Sequence, residues 1–314
     1  MRLELYFLVG GTPSLAPVEV IAGILQYIKS TYKLKLDAEI TLEANPSSVD
    51  IQNCALLKQA GVNRVSIGIQ SFEDNALKFL GRAHDANDAL NAVASVSKIF
   101  ENYSIDLIYS LPWHSAESWQ KELLHALKYV KNHVSLYQLT IEKGTQFFKQ
   151  YKNGDFILPQ DDKLAQLFER TRELTGQFGL ELYEVSNYAK QGFECMHNLA
   201  YWEYKQYVGI GPGAHSRFLK DDNVIAVTNF YDPYKWHTSV LQNEKKMQEI
   251  TLTTEDVFNE KVLMGLRTKR GLNINIFNAS HIQKLGFIDM NETSVTTTNK
   301  GILLLDSIIQ FILQ

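Results

Sequence analysis

At 314 residues the chain can bury a full core and carry one large domain plus a small one. A hydrophobic fraction of 45%, a charged fraction of 21% and a net charge of −4 describe an ordinary globule, with no basic run to hold nucleic acid. No apolar run reaches membrane-spanning length and no signal peptide opens the chain, so the cytoplasm is the default; two separated cysteines, Cys54 and Cys195, exclude a disulfide framework and an iron–sulfur cluster held by this chain's thiolates alone. Both cysteines read as small buried hydrophobes.

In chain order, Leu3–Val9 is predicted as a strand that runs straight into the loop Gly10-Gly11-Thr12-Pro13-Ser14. Pro17–Thr31 follows as a helix, with Pro17 in its first turn and Val20, Ile21, Ile24, Leu25 and Ile28 at helical spacing. Glu39–Glu43 is a short strand, and Asp50–Ala60 a helix stopped by Gly61. Arg64–Gln70 is a strand, Asp85–Phe100 a helix, Ile105–Tyr109 a strand and Ala116–Val130 a helix with Trp119, Leu123, Leu127 and Val130 on one face. Val134–Thr140 is a strand, Asp161–Phe178 a helix, and Glu181–Val185 the last clear strand of this pattern. Repeated strand–helix units imply an α/β fold with a parallel sheet, closed or partly closed into a barrel.

From about Leu252 the pattern changes. Glu255–Leu266 is a helix, followed by Gly271–Phe277 and Ser280–Leu285, then a short β-hairpin over Phe287–Asp289, Asn291–Thr293 and Ser294–Thr298, and a closing helix over Asn299–Ile312. That order suggests a small winged-helix-like domain. The expected division is 1–190 for the partial barrel, 191–250 for a connecting segment and 251–314 for the small domain. Lys245-Lys246 reads as solvated surface in the connection.

Barrel chemistry sits at the carboxyl ends of the strands. Those ends carry Gly10-Gly11-Thr12, Glu43, Gln70, Asp106 and Thr140. Any one of them can simply cap a helix or bind a loop, but the set on one rim is the pattern of a polar-ligand site. Backbone N–H groups at Gly10-Gly11 with the Thr12 hydroxyl suit a carboxylate or an ammonium. Glu43 and Asp106 suit an ammonium or ribose hydroxyls, Gln70 offers donor and acceptor, and Arg82 supplies a planar fork for a carboxylate. The ligand suggested is zwitterionic and carries a sugar.

The ordered motifs GGTPS, EANP, IGIQSF, LGRAH and IDLIYSLP resemble those of radical S-adenosylmethionine proteins of the oxygen-independent coproporphyrinogen III oxidase group. The nearer match is to its HemW-like heme-chaperone branch, through Cys195-Met196-His197-Asn198-Leu199-Ala200-Tyr201-Trp202 and Tyr207–Ser216. The resemblance implies that Gly10, Gly11, Thr12, Glu43, Gln70, Arg82 and Asp106 bind S-adenosylmethionine. It also implies heme contact at His197, Tyr201 and Trp202, with His215 and Cys195 as weaker candidates. A neutral imidazole can ligate iron, and flat rings can face a porphyrin; the same residues can equally be ordinary core.

The family's C-x-x-x-C-x-x-C segment, which ligates a [4Fe-4S] cluster, is absent from this sequence. The expected fold is therefore a partial (β/α) barrel of the radical SAM type without its first βα unit, from a split gene, a late start or a trimmed chain. Such a chain is expected to lack radical chemistry, to bind S-adenosylmethionine more weakly and to expose a sheet edge at Leu3–Val9. The expected function is that of a heme chaperone with heme-accepting proteins as partners. The alternatives are a coproporphyrinogen III oxidase and a remnant that binds only heme or a partner. A homodimer and a peripheral membrane contact stay open.

Overall fold

The structure, a computed structural model, describes residues 2–242, 248–273 and 283–314. The chain forms two compact units, Met1–His197 and Asn198–Gln314.

The first unit begins with β1 (Arg2–Leu8), α1 (Val18–Thr31), β2 (Lys33–Ala44), α2 (Ile51–Ala60), β3 (Arg64–Gln70), α3 (Asp74–Phe79) and α4 (Ala86–Ile99). It continues through β4 (Asn102–Tyr109), α5 (Ala116–Leu127), β5 (His133–Gln138), α6 (Gln146–Asn153), α7 (Asp161–Gln177), β6 (Glu181–Glu184) and β7 (Asn187–Ala189). The strands form one sheet in the order β1-β2-β3-β4-β5-β7-β6. Strands β1 to β5 pair in parallel, as the alternation of strands and helices predicted. The result is a partial barrel of the α/β class.

The far end of the sheet departs from that expectation. β7 runs antiparallel to both β5 and β6. The turn at Val185 and Ser186 is too short to carry a crossover, so it can only reverse the chain. The strands are also longer than predicted at their amino ends: β2 begins at Lys33 and β4 at Asn102.

One face of the sheet is apolar. Ile40 and Leu42 of β2, Val65, Ile67 and Ile69 of β3, Ile105 and Leu107 of β4, and Val134 and Leu136 of β5 are buried against the helices. Each such side chain contributes roughly 1.5–3 kcal/mol by leaving water. The helices are set by their caps. Asp85 and Asp88 form a reciprocal box at the start of α4, which buries Ala89, Ala92, Val93 and Val96. Ser115 and Ser118 do the same for α5, which buries Trp119, Leu123, Ala126 and Leu127.

Helix α8 (Met196–Trp202) spans the division between the units. The second unit then has β8 (His215–Lys220), β9 (Asn223–Thr228), α9 (Pro233–Leu241), β10 (Gln248–Thr251) and α10 (Thr254–Gly265). β11 (Leu272–Asn273), β12 (Ile288–Met290), β13 (Ser294–Thr297) and a closing helix Leu305–Ile312 complete it. Two antiparallel three-stranded sheets result, β10-β9-β8 and β11-β13-β12. The first lies in the segment read from sequence as connection. Its β8–β9 turn uses Asp221 and Asp222 at φ +48° and +62°, the left-handed pair that a tight hairpin requires.

The predicted short hairpin forms as β12 and β13, with Asn291–Thr293 as its turn. The Asn291 side-chain oxygen accepts from the N–H groups of Thr293 and Ser294, both at 2.8 Å. The predicted helix Asn299–Ile312 begins instead as a 3₁₀ turn over Gly301–Leu304. Most of Gly271–Phe277 and Ser280–Leu285, together with Lys245-Lys246, lies outside the described residues.

Candidate functional site

Side chains alternate along a strand, so the face opposite the apolar core is also dictated by sequence. On β2 that face carries Glu39, Thr41 and Glu43. Register then lays a polar row straight across the sheet: Glu43 is opposite Ser66, Ser66 opposite Ser104, and Ser104 opposite His133.

Asp106 sits within this face. The sequence reading counted it among the strand ends, but it lies in the middle of β4, which reaches Tyr109 as predicted and begins earlier, at Asn102. Its carboxylate accepts from Ser66 Oγ at 3.0 and 3.1 Å and from Ser104 Oγ at 3.2 Å. Burial raises its proton affinity, and Ser135, Ser66, Arg64 and Ser104 pull the other way. Glu43 is pushed up to about 7, first by burial and then by the Asp106 charge.

Gln70 ends β3 at φ +69°, and Ser110 follows β4 at φ +63°. Both are non-glycine residues in the left-handed region, which costs roughly 1 kcal/mol or more each and clusters at functional sites. The Gln70 turn is pinned from below: the next residue, Ser71, donates to Glu122 Oε1 at 2.5 Å and accepts from Glu73 N at 3.0 Å.

Gln70 and Arg82 meet over Gly68. A Cβ built there would lie 3.0 Å from Gln70 Nε2 and 3.5 Å from Arg82 Nη2. The missing side chain therefore keeps the floor of the site open. Arg82 Nε is buried with no hydrogen-bond partner among the described residues. Burial works against the Arg82 charge and Asp106 supports it. A half-buried guanidinium with an unmet donor suits a carboxylate.

Gly10 and Gly11 take φ +93° and +64°, so the loop after β1 needs glycine at both positions. Both are exposed, and Thr12 is half-buried. Ser14 ties this loop to the one after β2, through Ser48 Oγ at 2.6 Å and Asn45 N at 3.2 Å. Thus Glu43, Gln70, Arg82 and Asp106 form one cluster, and Gly10–Thr12 stands on the same rim. Thr140 does not join them: it is exposed, and its hydroxyl donates to the Gln138 carbonyl at 3.2 Å.

Sequence reasoning missed the residues deeper on this face. Arg64 and Glu39 are both buried, with Arg64 Nε 3.9 Å from Glu39 Oε2. Glu39 in turn caps α8, accepting from Met196 N at 3.2 Å and His197 N at 3.4 Å. Cys195 Sγ lies 3.6 Å from Glu39 Oε1, so this buried thiol has a polar neighbour. The alternation Glu39-Ile40-Thr41-Leu42-Glu43 was the available signal.

His197 stacks on Phe7, with ring centroids 3.8 Å apart. Burial, then the Arg64 charge, lowers its pKa to about 4, so the imidazole is neutral near pH 7. Within the second unit, Tyr201 packs on Tyr207 at 4.4 Å, and the Arg267 guanidinium lies over Trp202 at 5.9 Å. His215 is exposed, with Nδ1 3.2 Å from the Thr228 hydroxyl.

The sheet, parallel from β1 to β5 with polar groups gathered at its strand ends, makes this an α/β partial barrel. A model of the radical SAM superfamily matches residues 1–126. Radical S-adenosyl methionine domain-containing protein 1, mitochondrial, of Bos taurus is 34% identical over 331 residues, covering 98% of this chain and 75% of that protein. Heme chaperone HemW of Bacillus subtilis (strain 168) is 31% identical over 320 residues, covering 96% of this chain and 83% of that protein. Among solved structures, coproporphyrinogen III oxidase (HemN) from Escherichia coli matches with a TM-score of 0.80 at 20% identity, over 98% of this chain and 77% of that one. The chain belongs to the radical SAM superfamily and, within it, to the HemW-like family of these relatives. Among the described residues, no helix is long and apolar enough to cross a membrane.

Proposed function

We propose that this chain is a heme chaperone that binds S-adenosylmethionine at the strand-end cluster and carries heme as cargo through His197. The observation that carries the first half is the convergence of Gln70 and Arg82 over bare Gly68. Arg82 would take the methionyl carboxylate. The Glu43–Asp106 pair would take the ammonium or the ribose hydroxyls, and the Gly10-Gly11-Thr12 backbone would close the rim. For heme, His197, held neutral by burial, is the candidate iron ligand, and Tyr201 and Trp202 are candidate porphyrin contacts.

The family implies a [4Fe-4S] cluster, but this chain's own thiols do not fit one. Cys54 lies in the apolar core, where burial and the Asp50 charge push its thiol up to about 11. Cys195 lies on the opposite, polar face beside Glu39. Two buried thiols on opposite faces of a sheet cannot share a cluster.

Hemin titration of the whole chain, followed at the Soret band, tests the cargo reading. The expected result is a shifted Soret band that His197→Ala weakens strongly. An unshifted band, or an identical titration in the variant, would remove heme from this proposal. Calorimetry with S-adenosylmethionine on Arg82→Ala and the parent chain tests the first half separately.

A further inference from the structure

The polar face of the sheet contains a chain of hydrogen bonds that starts at Asp106 and leads away from the strand-end site. Ser104 Oγ, 3.2 Å from Asp106 Oδ1, is also 2.7 Å from His133 Nδ1. His133 Nε2 is 2.9 Å from the Tyr183 hydroxyl. That hydroxyl accepts from Cys195 N at 3.3 Å, next to the first residue of α8. His133 and Ser104 are almost wholly buried. We infer that Asp106, Ser104, His133 and Tyr183 form a directional relay, with His133 as the positioning residue that couples the strand-end site to the start of the helix bearing His197.

The direction follows from the donors. A backbone N–H can only donate, so Cys195 gives its hydrogen to Tyr183. The ionised Asp106 carboxylate can only accept, so Ser104 gives its hydrogen to Asp106. The short contact from Ser104 then requires His133 to donate from Nδ1. The bare Nε2 accepts from Tyr183. Burial and the Arg64 charge keep His133 neutral, which this arrangement needs. Arg64 and Glu39 provide a parallel connection: Arg64 neighbours Glu39, and Glu39 holds the Met196 and His197 N–H groups. Both routes therefore end on the residues that orient His197.

The inference rests on the proposed use of the two sites. A cation paired with Asp106 keeps that carboxylate an acceptor and fixes every bond down the chain. Binding S-adenosylmethionine should then order the start of α8 and strengthen hemin binding, and linkage requires the reciprocal effect of equal size.

Two measurements on the whole chain test this. In ¹⁵N-histidine NMR, the His133 signals, assigned by their loss in His133→Gln, should show protonated Nδ1 and bare Nε2. A protonated Nε2 would overturn the relay, and this result needs no ligand. Second, hemin affinity is measured with and without saturating S-adenosylmethionine. The parent chain should show a gain of about fivefold or more, the lower range of measured couplings. In Tyr183→Phe and in His133→Gln the ratio should fall well below the parent's, with any remainder carried by the Arg64–Glu39 route. The ratio is taken within each variant, so a general loss of binding cancels. An undiminished ratio in both variants, or no gain in a parent chain that binds both ligands, would overturn the inference. If the parent chain binds neither ligand, the proposed function fails, and the NMR result alone decides the relay.

Discussion

The imidazole of His197 lies flat on the Phe7 ring, with centroids 3.8 Å apart and planes inclined by only 12°. Phe7 belongs to β1 and His197 to α8, so the contact closes the two ends of the first unit on each other. It also explains part of the burial that lowers the His197 pKa from 6.5 to about 4.

That shift makes stability depend on pH. Above 6.5 both folded and unfolded His197 are neutral, and the contribution is complete. As pH falls from 6.5 towards about 4 the unfolded state takes the proton first, so stability is lost. The loss from this group is ~3 kcal/mol at most. His133, also held neutral by burial, acts in the same direction. Urea midpoints measured across this window should fall in the parent chain and fall less in His197→Phe, which keeps a ring on Phe7. Equal slopes for the two chains would contradict the assignment.

Trp119 is fully buried, stacked against Tyr109 and His114, and its indole N–H donates to Thr171 Oγ1 at 2.7 Å. The bond joins α5 to α7 across the outer layer. Thr171→Val keeps the volume but strands the indole donor, at a cost of about 1–3 kcal/mol. Thr171→Ser keeps the hydroxyl and should cost less than Thr171→Val. Denaturant unfolding of the two variants decides; a valine variant as stable as the serine one would show that the bond contributes nothing.

Much of this architecture was legible in the residues. Apolar alternation in β2 and β3 and the helical spacing in α1 are local signals, and they marked the parallel strands and the helices between them. The rim residues Glu43 and Gln70 were visible because each ends an apolar strand. Asp106 was visible as an acid in IDLIY, but it lies within β4 rather than at its carboxyl end, which the predicted strand Ile105–Tyr109 already placed at Tyr109. The bonds from Glu39 to α8 left no trace, because they join residues 157 and 158 positions apart. Ser71–Glu122 is hidden for the same reason. The β6–β7 hairpin was missed because three residues of strand are too few to show a period.

Gly68 gives the most direct test of the ligand cluster. It does not need a left-handed backbone, so a side chain there is a question of space alone. In Gly68→Val the new methyl groups would meet Gln70 Nε2 and Arg82 Nη2, both flexible ends that can move aside. The fold should survive while the two groups are driven apart. S-adenosylmethionine affinity, read by calorimetry, should fall about tenfold or more, on the order of 1.4 kcal/mol. An unchanged affinity with an intact unfolding transition would place the ligand elsewhere.

Glu43 predicts how that affinity responds to pH. Burial and the neighbouring Asp106 raise its pKa from 4.5 to about 7, so in the free protein it is half-protonated near neutrality. The ionised form is the one that attracts an ammonium or sulfonium ligand. Affinity for S-adenosylmethionine should therefore rise from about pH 6 to about pH 8, as Glu43 loses its proton. Stability should move the opposite way. Between 4.5 and about 7 the folded state holds a proton that the unfolded state has released, so this group's contribution is present at low pH and is lost as pH rises through 7. Glu43→Gln removes the titrating group while keeping its shape. It should flatten the affinity profile, weaken binding at about pH 8 and raise the melting temperature there relative to the parent. The opposed slopes distinguish a ligand-binding carboxylate from a merely buried one. An affinity that is flat with pH in the parent chain would leave Glu43 a buried acid and nothing more.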